Sequence, residues 1–249
     1  MKIAVCVSNV PDTATRIKIG SDGKSIDPAG VTFIINPYDE YAIEEALKTK
    51  EKLGEGEVVI LTLGGDGSKE TIRKALAMGA DSAVLLKDDN HRDSIGIAKA
   101  LADEIKSMGA ELVFMGKQSV DYDNSIVGQI TSELLGYNCV TVAVTFELND
   151  KQISAEREIE GGREVVQTTL PAIVTCQKGL NEPRYASLKG IMAAKKKTIE
   201  EKPAKEVPAS TEVLKMYLPP PKQAGRILGT DSSAVPELVK LLKEEAKVI

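Results

Sequence analysis

Four short apolar runs, each followed by an amphipathic segment, constrain this chain more than any other feature of its sequence. KIAVCV (2–7), EVVILTL (57–63), SAVLLK (82–87) and ELVFMG (111–116) are rich in β-branched residues and nearly continuous in apolar side chains. A strand with one wet face alternates polar and apolar residues, so runs without alternation read as strands buried on both faces, as inside a parallel sheet. Between them, PYDEYAIEEALKTKEKL repeats Ala42, Ile43, Ala46 and Leu47 at helical spacing, with acids early and lysines late to suit the helix dipole. Asn36 reads as its N-cap and Pro37 as its first residue. SKETIRKALAMGA follows with Ser68 as cap and Gly79 as stop, and DSIGIAKALADEIKSMG ends at Gly109. This β-α-β-α order predicts a doubly wound α/β fold with a mostly parallel sheet.

From about residue 140 the pattern changes. VTVAVTFEL, KQISAEREIE, REVVQTTL and AIVTCQ are separated by turn signals with no room for crossover helices. They read as antiparallel strands extending the same sheet, with Glu160-Gly161-Gly162-Arg163 closing a hairpin. After Lys197 order dissolves into EEKPAKEVPAS and MYLPPPKQAG, a proline-rich arm that is disordered alone or lies extended on another protein. SSAVPELVKLLKEEAKVI then closes the chain as an amphipathic helix. The expected organisation is an α/β domain over 1–198 and a C-terminal arm and helix over 199–249 that embraces an obligate partner.

Composition removes several function classes. A formal net charge of −5 argues against a broad basic face for duplex nucleic acid. No apolar run approaches the ~20 residues of a membrane span, and MKIAVCVSN does not read as a signal peptide, so a cytoplasmic protein is expected. Cys6, Cys139 and Cys176 lie far apart in apolar runs, which suits buried structural thiols better than a redox pair or zinc ribbon. His91, the single histidine, lies in the polar run KDDNHRD and reads as a loop residue, not a ligand or a base. With no Trp and 4% aromatic residues, the chain is poorly equipped to carry a flavin or haem alone.

In a doubly wound sheet, ligands sit beyond the carboxyl ends of the strands. Three such ends stand out: Cys6-Val7-Ser8-Asn9, the turn from Leu63 to Ser68, and the loop Gly116-Lys117-Gln118-Ser119-Val120-Asp121-Tyr122-Asp123-Asn124-Ser125. The third precedes the helical segment SIVGQITSELLG, so its amides and the helix N-terminus form a phosphate seat, with Lys117 as counter-charge. Asp121, Asp123 and Asn124 suit ribose hydroxyls, an adenine edge, or capping of that helix, and spacing alone favours capping. Gly64, Gly65 and Gly67 form neither GxGxxG nor a Walker A loop, which favours a plain turn. No GxSxG serine or histidine pattern supplies a nucleophile and base. The chain reads as a nucleotide-binding scaffold without catalytic equipment.

RYASLKGIMAAKKKT (184–198) is the odd stretch. Leu188, Ile191 and Met192 stand beside Lys189 and run straight into Lys195, Lys196 and Lys197. One reading is a short buried segment entering a solvated helix end. The other is a surface loop that offers an apolar anchor inside a charged rim to a transient partner.

INPYDEYAIEEAL, KETIRKALAMGAD, GKQSVDYDN, EREIEGGREVVQTTLPAIVT and LNEPRYASLKGIMAAKKK together resemble the beta subunit of electron transfer flavoprotein, in the same order from residue 1 to about 200. The span Ala155 to Val174, with its acid-Gly-Gly turn and Leu-Pro, is similar to that family's signature. The resemblance implies an electron carrier, not an enzyme. It implies an alpha subunit holding most of a redox-active FAD, a structural AMP in this chain, electrons arriving from acyl-CoA dehydrogenases as in fatty acid oxidation, and a quinone oxidoreductase as acceptor. It assigns Cys6, Asn36, Pro37, Tyr38, Asp39, Leu63 and the loop from Gly116 through Ile126 and Val127 to the nucleotide site, and puts Tyr38 and Thr13 near the flavin. It makes 176–198 the recognition loop, with Leu188 as anchor and Ile191, Met192, Lys195, Lys196 and Lys197 around it.

Two features pull the nucleotide assignment apart. NPYD at 36–39 resembles electron-bifurcating members, which hold a second FAD in this subunit. Those members usually read GDTAQVG after the loop's first aspartate, whereas this chain reads YDNSIVG, closer to the AMP type. AMP is the favoured expectation. An adenine-nucleotide sensor of the universal-stress type gives no role to the arm or the 184–198 segment, and a nucleotide hydrolase lacks a base and metal ligands.

Overall fold

The computed structural model describes residues 1–222 and 224–249. In chain order the elements are β1 (Lys2–Cys6), β2 (Asn9–Pro11), β3 (Phe33–Ile35), α1 (Pro37–Leu53), β4 (Glu57–Gly64), α2 (Ser68–Met78), β5 (Ser82–Lys87), α3 (Ser94–Met108), β6 (Leu112–Gly116) and α4 (Val127–Leu135). Then come β7 (Asn138–Asn149), β8 (Gln152–Ile159), β9 (Gly162–Thr169), β10 (Ala172–Cys176), α5 (Leu188–Ala194), β11 (Ile199–Pro203), a 3₁₀ turn (Ser232–Ala234) and α6 (Val235–Glu244).

One nine-stranded sheet runs in the order β11-β5-β4-β1-β6-β10-β7-β8-β9, parallel up to β7 and antiparallel across β7, β8 and β9. The non-alternating runs are its centre: Ile3, Ala4, Val5, Ile60, Leu61, Val113 and Phe114 are all inaccessible to solvent. Ile43 and Leu47 of α1 and Ile72 and Leu76 of α2 cover one face over Ile3, Val5, Ile60 and Phe114. Leu101 and Ile105 of α3 cover the other over Ala4, Leu61 and Val113. Burying a single leucine or isoleucine of this kind stabilises by roughly 1.5–3 kcal/mol, so each face is fixed by several such contributions.

The structure departs from the sequence reading at four points. The run AIVTC is not antiparallel. As β10 it is parallel to both β6 and β7, and all five of its residues are buried. Its lack of alternation is the same signal that marks β1. The 12-residue β7 serves two partners, β10 with its first half and β8 with its second, on either side of an irregularity near Val142, whose φ is +58°. Ser68 does not cap α2. The N-cap is Gly67, and Ser68 is the first helical residue. The small antiparallel pair of β2 and β3 had no separate signature, since each strand has only three residues.

Order also continues beyond Lys197. Ile199–Pro203 pairs with Ala83–Lys87 as a parallel edge strand. IEEKP is too polar to announce a strand, and its side chains are held electrostatically: Glu201 meets Lys69 at 2.8 Å and Lys202 meets Glu104 at 2.7 Å. Pro203 ends the edge strand, where a missing N–H is tolerated. The arm then follows the domain. Lys205 pairs with Asp103, the amides of Ser210 and Thr211 donate to Asp93, and the Met216 amide donates to the Gly23 carbonyl. Beyond it, Tyr217, Leu218, Ile227, Val235, Leu238 and Val239 are exposed. The proline-rich stretch includes Gln223, which lies outside the described residues. Among the described residues, no helix is long and apolar enough to cross a membrane.

These attachments separate two truncations. A chain ending after Met216 should keep its thermal midpoint within about 2 °C, because it loses little buried surface. A chain ending after Thr198 should unfold earlier and self-associate, because the edge of β5 is bared. Equal midpoints in differential scanning fluorimetry would refute the role given to β11.

Candidate nucleotide cleft and exposed helix

The strand order reverses at β1: the chain moves outward through β4 and β5, then returns to pair β6 on the other side of β1. The carboxyl ends of β1, β4, β5 and β6 surround a cavity of about 250 Å³ at this switch point, the usual place for a ligand in such a sheet.

Gly116 starts its main loop. A Cβ at this position would lie 2.3 Å from Asp39 Oδ1 and 2.7 Å from Tyr38 Cβ, so only glycine lets β6 end against the start of α1. Asp39 is buried there and gathers the neighbourhood. Ser8 N–H donates to its Oδ2 at 2.7 Å, while Asn36 Nδ2 and Gly116 N–H donate to its Oδ1 at 2.9 and 3.0 Å. Burial pushes the Asp39 carboxyl up to about 7 against the pull of these donors, and the charge of Asp121 adds to the rise. Burial, then Asp39 itself, raises the Cys6 thiol well above the ordinary range, which makes Cys6 an inert wall.

Asn36 occupies the N-cap position of α1, but its side chain does not cap. It holds the facing loop instead, donating to the Gln118 carbonyl at 2.8 Å and accepting from Val120 N–H at 3.1 Å. Lys117 places its ammonium 5.1 Å from the Tyr38 ring centre. Capping of α4 by the loop acids, the role that spacing favours, is not what the structure has. The N-cap is Ile126 without a side-chain cap, Asp123 accepts from Gln118, and Asn124 donates to Ser94 at 3.0 Å. Asp123 and Ser125 adopt φ of 51° and 53°, and this turn brings the first residues of α4, with their unpaired first-turn amides, to the cavity.

Cys6, Asp39, Leu63, Gly116, Lys117, Gln118, Ser119, Asp121, Tyr122, Asn124, Ser125, Ile126 and Val127 line the cavity. Asn36, Pro37, Tyr38, Val120 and Asp123 back it without lining it. Gly64 ends β4, Gly65 and Gly67 belong to the turn after it, and all three lie outside the lining. A Cβ on Gly65 would meet Asp89 Oδ1 at 1.9 Å, so close packing explains that glycine. The wall from Asp88 to Ser94 was missed. Asp88 and Arg92 form a mostly buried ion pair at 2.6 Å, and His91 Nδ1 lies 3.2 Å from the Tyr122 hydroxyl. His91 is a loop residue, as read, but one in the cavity wall. KDDNHRD directly follows a strand, so the strand-end rule applied to the other strands would have found it.

The 184–198 segment is not buried. Tyr185 is 98% exposed, Leu188 84% and Met192 64%, while Ala194 is the buried residue of α5. Leu188, Ile191, Met192 and Lys195 follow the i, i+3, i+4, i+7 spacing of one helix face. This exposed face is rigidly mounted. Arg184 grips Glu44 at 2.8 and 2.9 Å and also reaches Glu51. Arg73 donates to the carbonyls of Ala194 and Lys197, both at 2.6 Å. A Cβ on Gly190 would lie 2.4 Å from the Ala77 carbonyl oxygen, so α5 rests directly on α2. Lys195 and Lys196 are exposed, but Lys197 is not part of an outward rim. Its ammonium donates to the Leu76 carbonyl at 3.1 Å and to that of Ala80, and burial lowers its pKa. Of the cysteines, Cys6 and Cys176 are buried and Cys139 is partly exposed.

The α/β fold thus presents two features at its surface, a cleft at the sheet switch point and a clamped, exposed apolar helix. The family model of the electron transfer flavoprotein domain matches residues 24–207. The chain is 42% identical to electron transfer flavoprotein subunit beta of Bacillus subtilis, with both chains fully covered. It is 40% identical to the protein of that name from Bradyrhizobium diazoefficiens, again over all of both chains. It is also 37% identical to the mitochondrial subunit beta of Oryza sativa subsp. japonica, over all of both. The chain belongs to the electron transfer flavoprotein beta-subunit family.

The raised Asp39 value carries a sign. Its folded-state pKa lies above the unfolded value of about 4, so the stability it contributes is present below pH 4 and is lost as pH rises to about 7. Relative to Asp39→Asn, the wild-type unfolding free energy should fall by roughly 2–3 kcal/mol between pH 5 and 7. Urea titrations at several pH values measure this gap, and a constant gap would contradict the buried-carboxylate account.

Proposed function

We propose that this chain is the beta subunit of a heterodimeric electron carrier that holds one AMP in the cleft and shares one FAD with an alpha subunit, which binds most of it. FAD supplies the redox chemistry when bound; this chain holds the nucleotide, completes the flavin's surroundings near Thr13 and Tyr38, and docks the electron donor. It acts as a carrier, not an enzyme, in the cytoplasm. The donor is an acyl-CoA dehydrogenase or a related flavoenzyme, and the acceptor is a quinone oxidoreductase. The arm and α6, with their exposed apolar residues, wrap the alpha subunit.

The observation that carries the nucleotide reading is the cleft's size and lining. At about 250 Å³ it lies at the small end of ligand pockets, which usually run to roughly 300–1,000 Å³, so it suits a mononucleotide better than a dinucleotide, and Tyr122 and Asn124 stand in it. The α4 amides and Lys117 suit one phosphate, and Asp121 and Asn124 suit ribose hydroxyls or an adenine edge. Denaturing the purified heterodimer should release one AMP and one FAD. Two FAD and no AMP would replace this reading with the bifurcating one that NPYD at 36–39 favours.

The docking reading rests on the exposure of Leu188. Leu188→Ala should leave the fold and flavin spectrum unchanged and raise the carrier concentration needed for half-maximal reduction by the dehydrogenase roughly 10- to 100-fold, the equivalent of burying one leucine. Unaltered kinetics across carrier concentrations would remove Leu188 as anchor.

A further inference from the structure

The three hydrogen bonds to Asp39 all come from donors, and they join the end of β1, the start of α1 and the first residue of the 116–126 loop. Among the described residues no cation pairs with this carboxylate; Lys117 holds its ammonium over the Tyr38 ring. The other titratable groups around it are the Cys6 thiol from β1, the Cys176 thiol from β10, Tyr38 and Glu40 on its own helix, and Asp121 from the loop, with His91 across the cavity. A donor-only shell favours the carboxylate, whereas burial and the nearby acid favour the neutral acid. The two oxygens are unequal. Oδ1 accepts two bonds and Oδ2 accepts only that of Ser8, so a proton arriving at Oδ2 sets an O–H against the Ser8 N–H.

We propose that Asp39 is a proton-operated positioning residue of the nucleotide cleft: as a carboxylate it draws Ser8 and Gly116 to one point, and on taking up a proton it releases Ser8 and slackens the β1 wall. Ser8 lines the cavity beside Cys6, Val7 and Asn9, so release there alters the wall against which a ligand packs. Burial brings the titration of Asp39 to about 7, within reach of ordinary solution pH. The sign is opposite to that for stability, because the empty fold gains from the proton while the ordered cleft requires its removal.

This inference rests on the nucleotide reading, and two measurements on the full-length protein keep the two apart. In ligand-free protein the amide ¹⁵N and ¹H shifts of Ser8 and Gly116 should titrate together with one midpoint near 7. This needs no nucleotide, and it stands even when Asp39→Asn does not fold. Binding is then measured by calorimetry with adenosine beside AMP, because a phosphate monoester itself titrates near pH 6. The His91→Gln background removes the imidazole from the wall. The adenosine Kd should rise about tenfold per pH unit below the midpoint, as release of one proton on binding requires. Asp39→Asn should bind more weakly at pH 8 and with no pH dependence. PH-independent Ser8 and Gly116 shifts, or an Asp39→Asn variant that follows the wild-type binding curve, would overturn the latch. Titrating shifts without binding of adenosine or AMP at any pH would uphold the proton-operated contact and reject the nucleotide reading, and with it the ligand consequence.

Discussion

A parallel sheet buried on both faces sends every strand's carboxyl end to the same edge, and the remaining structure follows from this. β1, β4, β5 and β6 cannot be exposed on either side, so their loops emerge only at the ends. At the carboxyl end those loops meet the N-termini of the following helices, whose first amides lack partners within the helix. A polar cavity there is an outcome of topology. What is particular to this chain is how the cavity is closed: Gly116 allows contact with α1, and Asn36 and Asp39 use that contact to hold the loop.

The elements legible in the sequence were those whose pattern has a single physical cause. Non-alternating runs located β1, β4, β5 and β6, and periodic apolar residues located α1, α2 and α3, the last two with glycine stops. The misreading of β10 came from its neighbours. Flanked by hairpin strands it suggested a continuing meander, although AIVTC itself has the composition of a doubly buried strand. β11 was illegible because backbone pairing and ion pairs hold it, and IEEKP shows no apolar period. The cleft was legible from its loops but not from its supports. Nothing in the sequence states that Asn36 leaves its own helix uncapped to bind Gln118 and Val120 across the cavity.

The 184–198 segment shows how an apolar side chain can be kept in water without cost to the fold. Leu188 and Met192 contribute little to packing, so α5 must be fixed by other means, and most of those means are polar. Arg184 on Glu44 and Glu51, Arg73 on two carbonyls, and Lys197 on the end of α2 hold the backbone. Lys197, read as part of a charged rim, faces inward because the last carbonyls of α2 need a cation. Immobilising the helix in advance reduces the ordering that a partner would have to impose, so less of the energy of contact is spent on fixing the backbone.

Asp39 presents the opposite balance. An ionised carboxylate in the interior is a poor source of stability, and a neutral side chain of similar shape is often at least as stable. The residue stands at a point where, among the described residues, no salt bridge compensates it and where three elements depend on its two oxygens. An amide could accept only at one oxygen and would set its own N–H₂ against Ser8 or Gly116. The geometry therefore makes the carboxylate valuable for the shape of the cleft at some expense to the fold, a conflict that belongs with function.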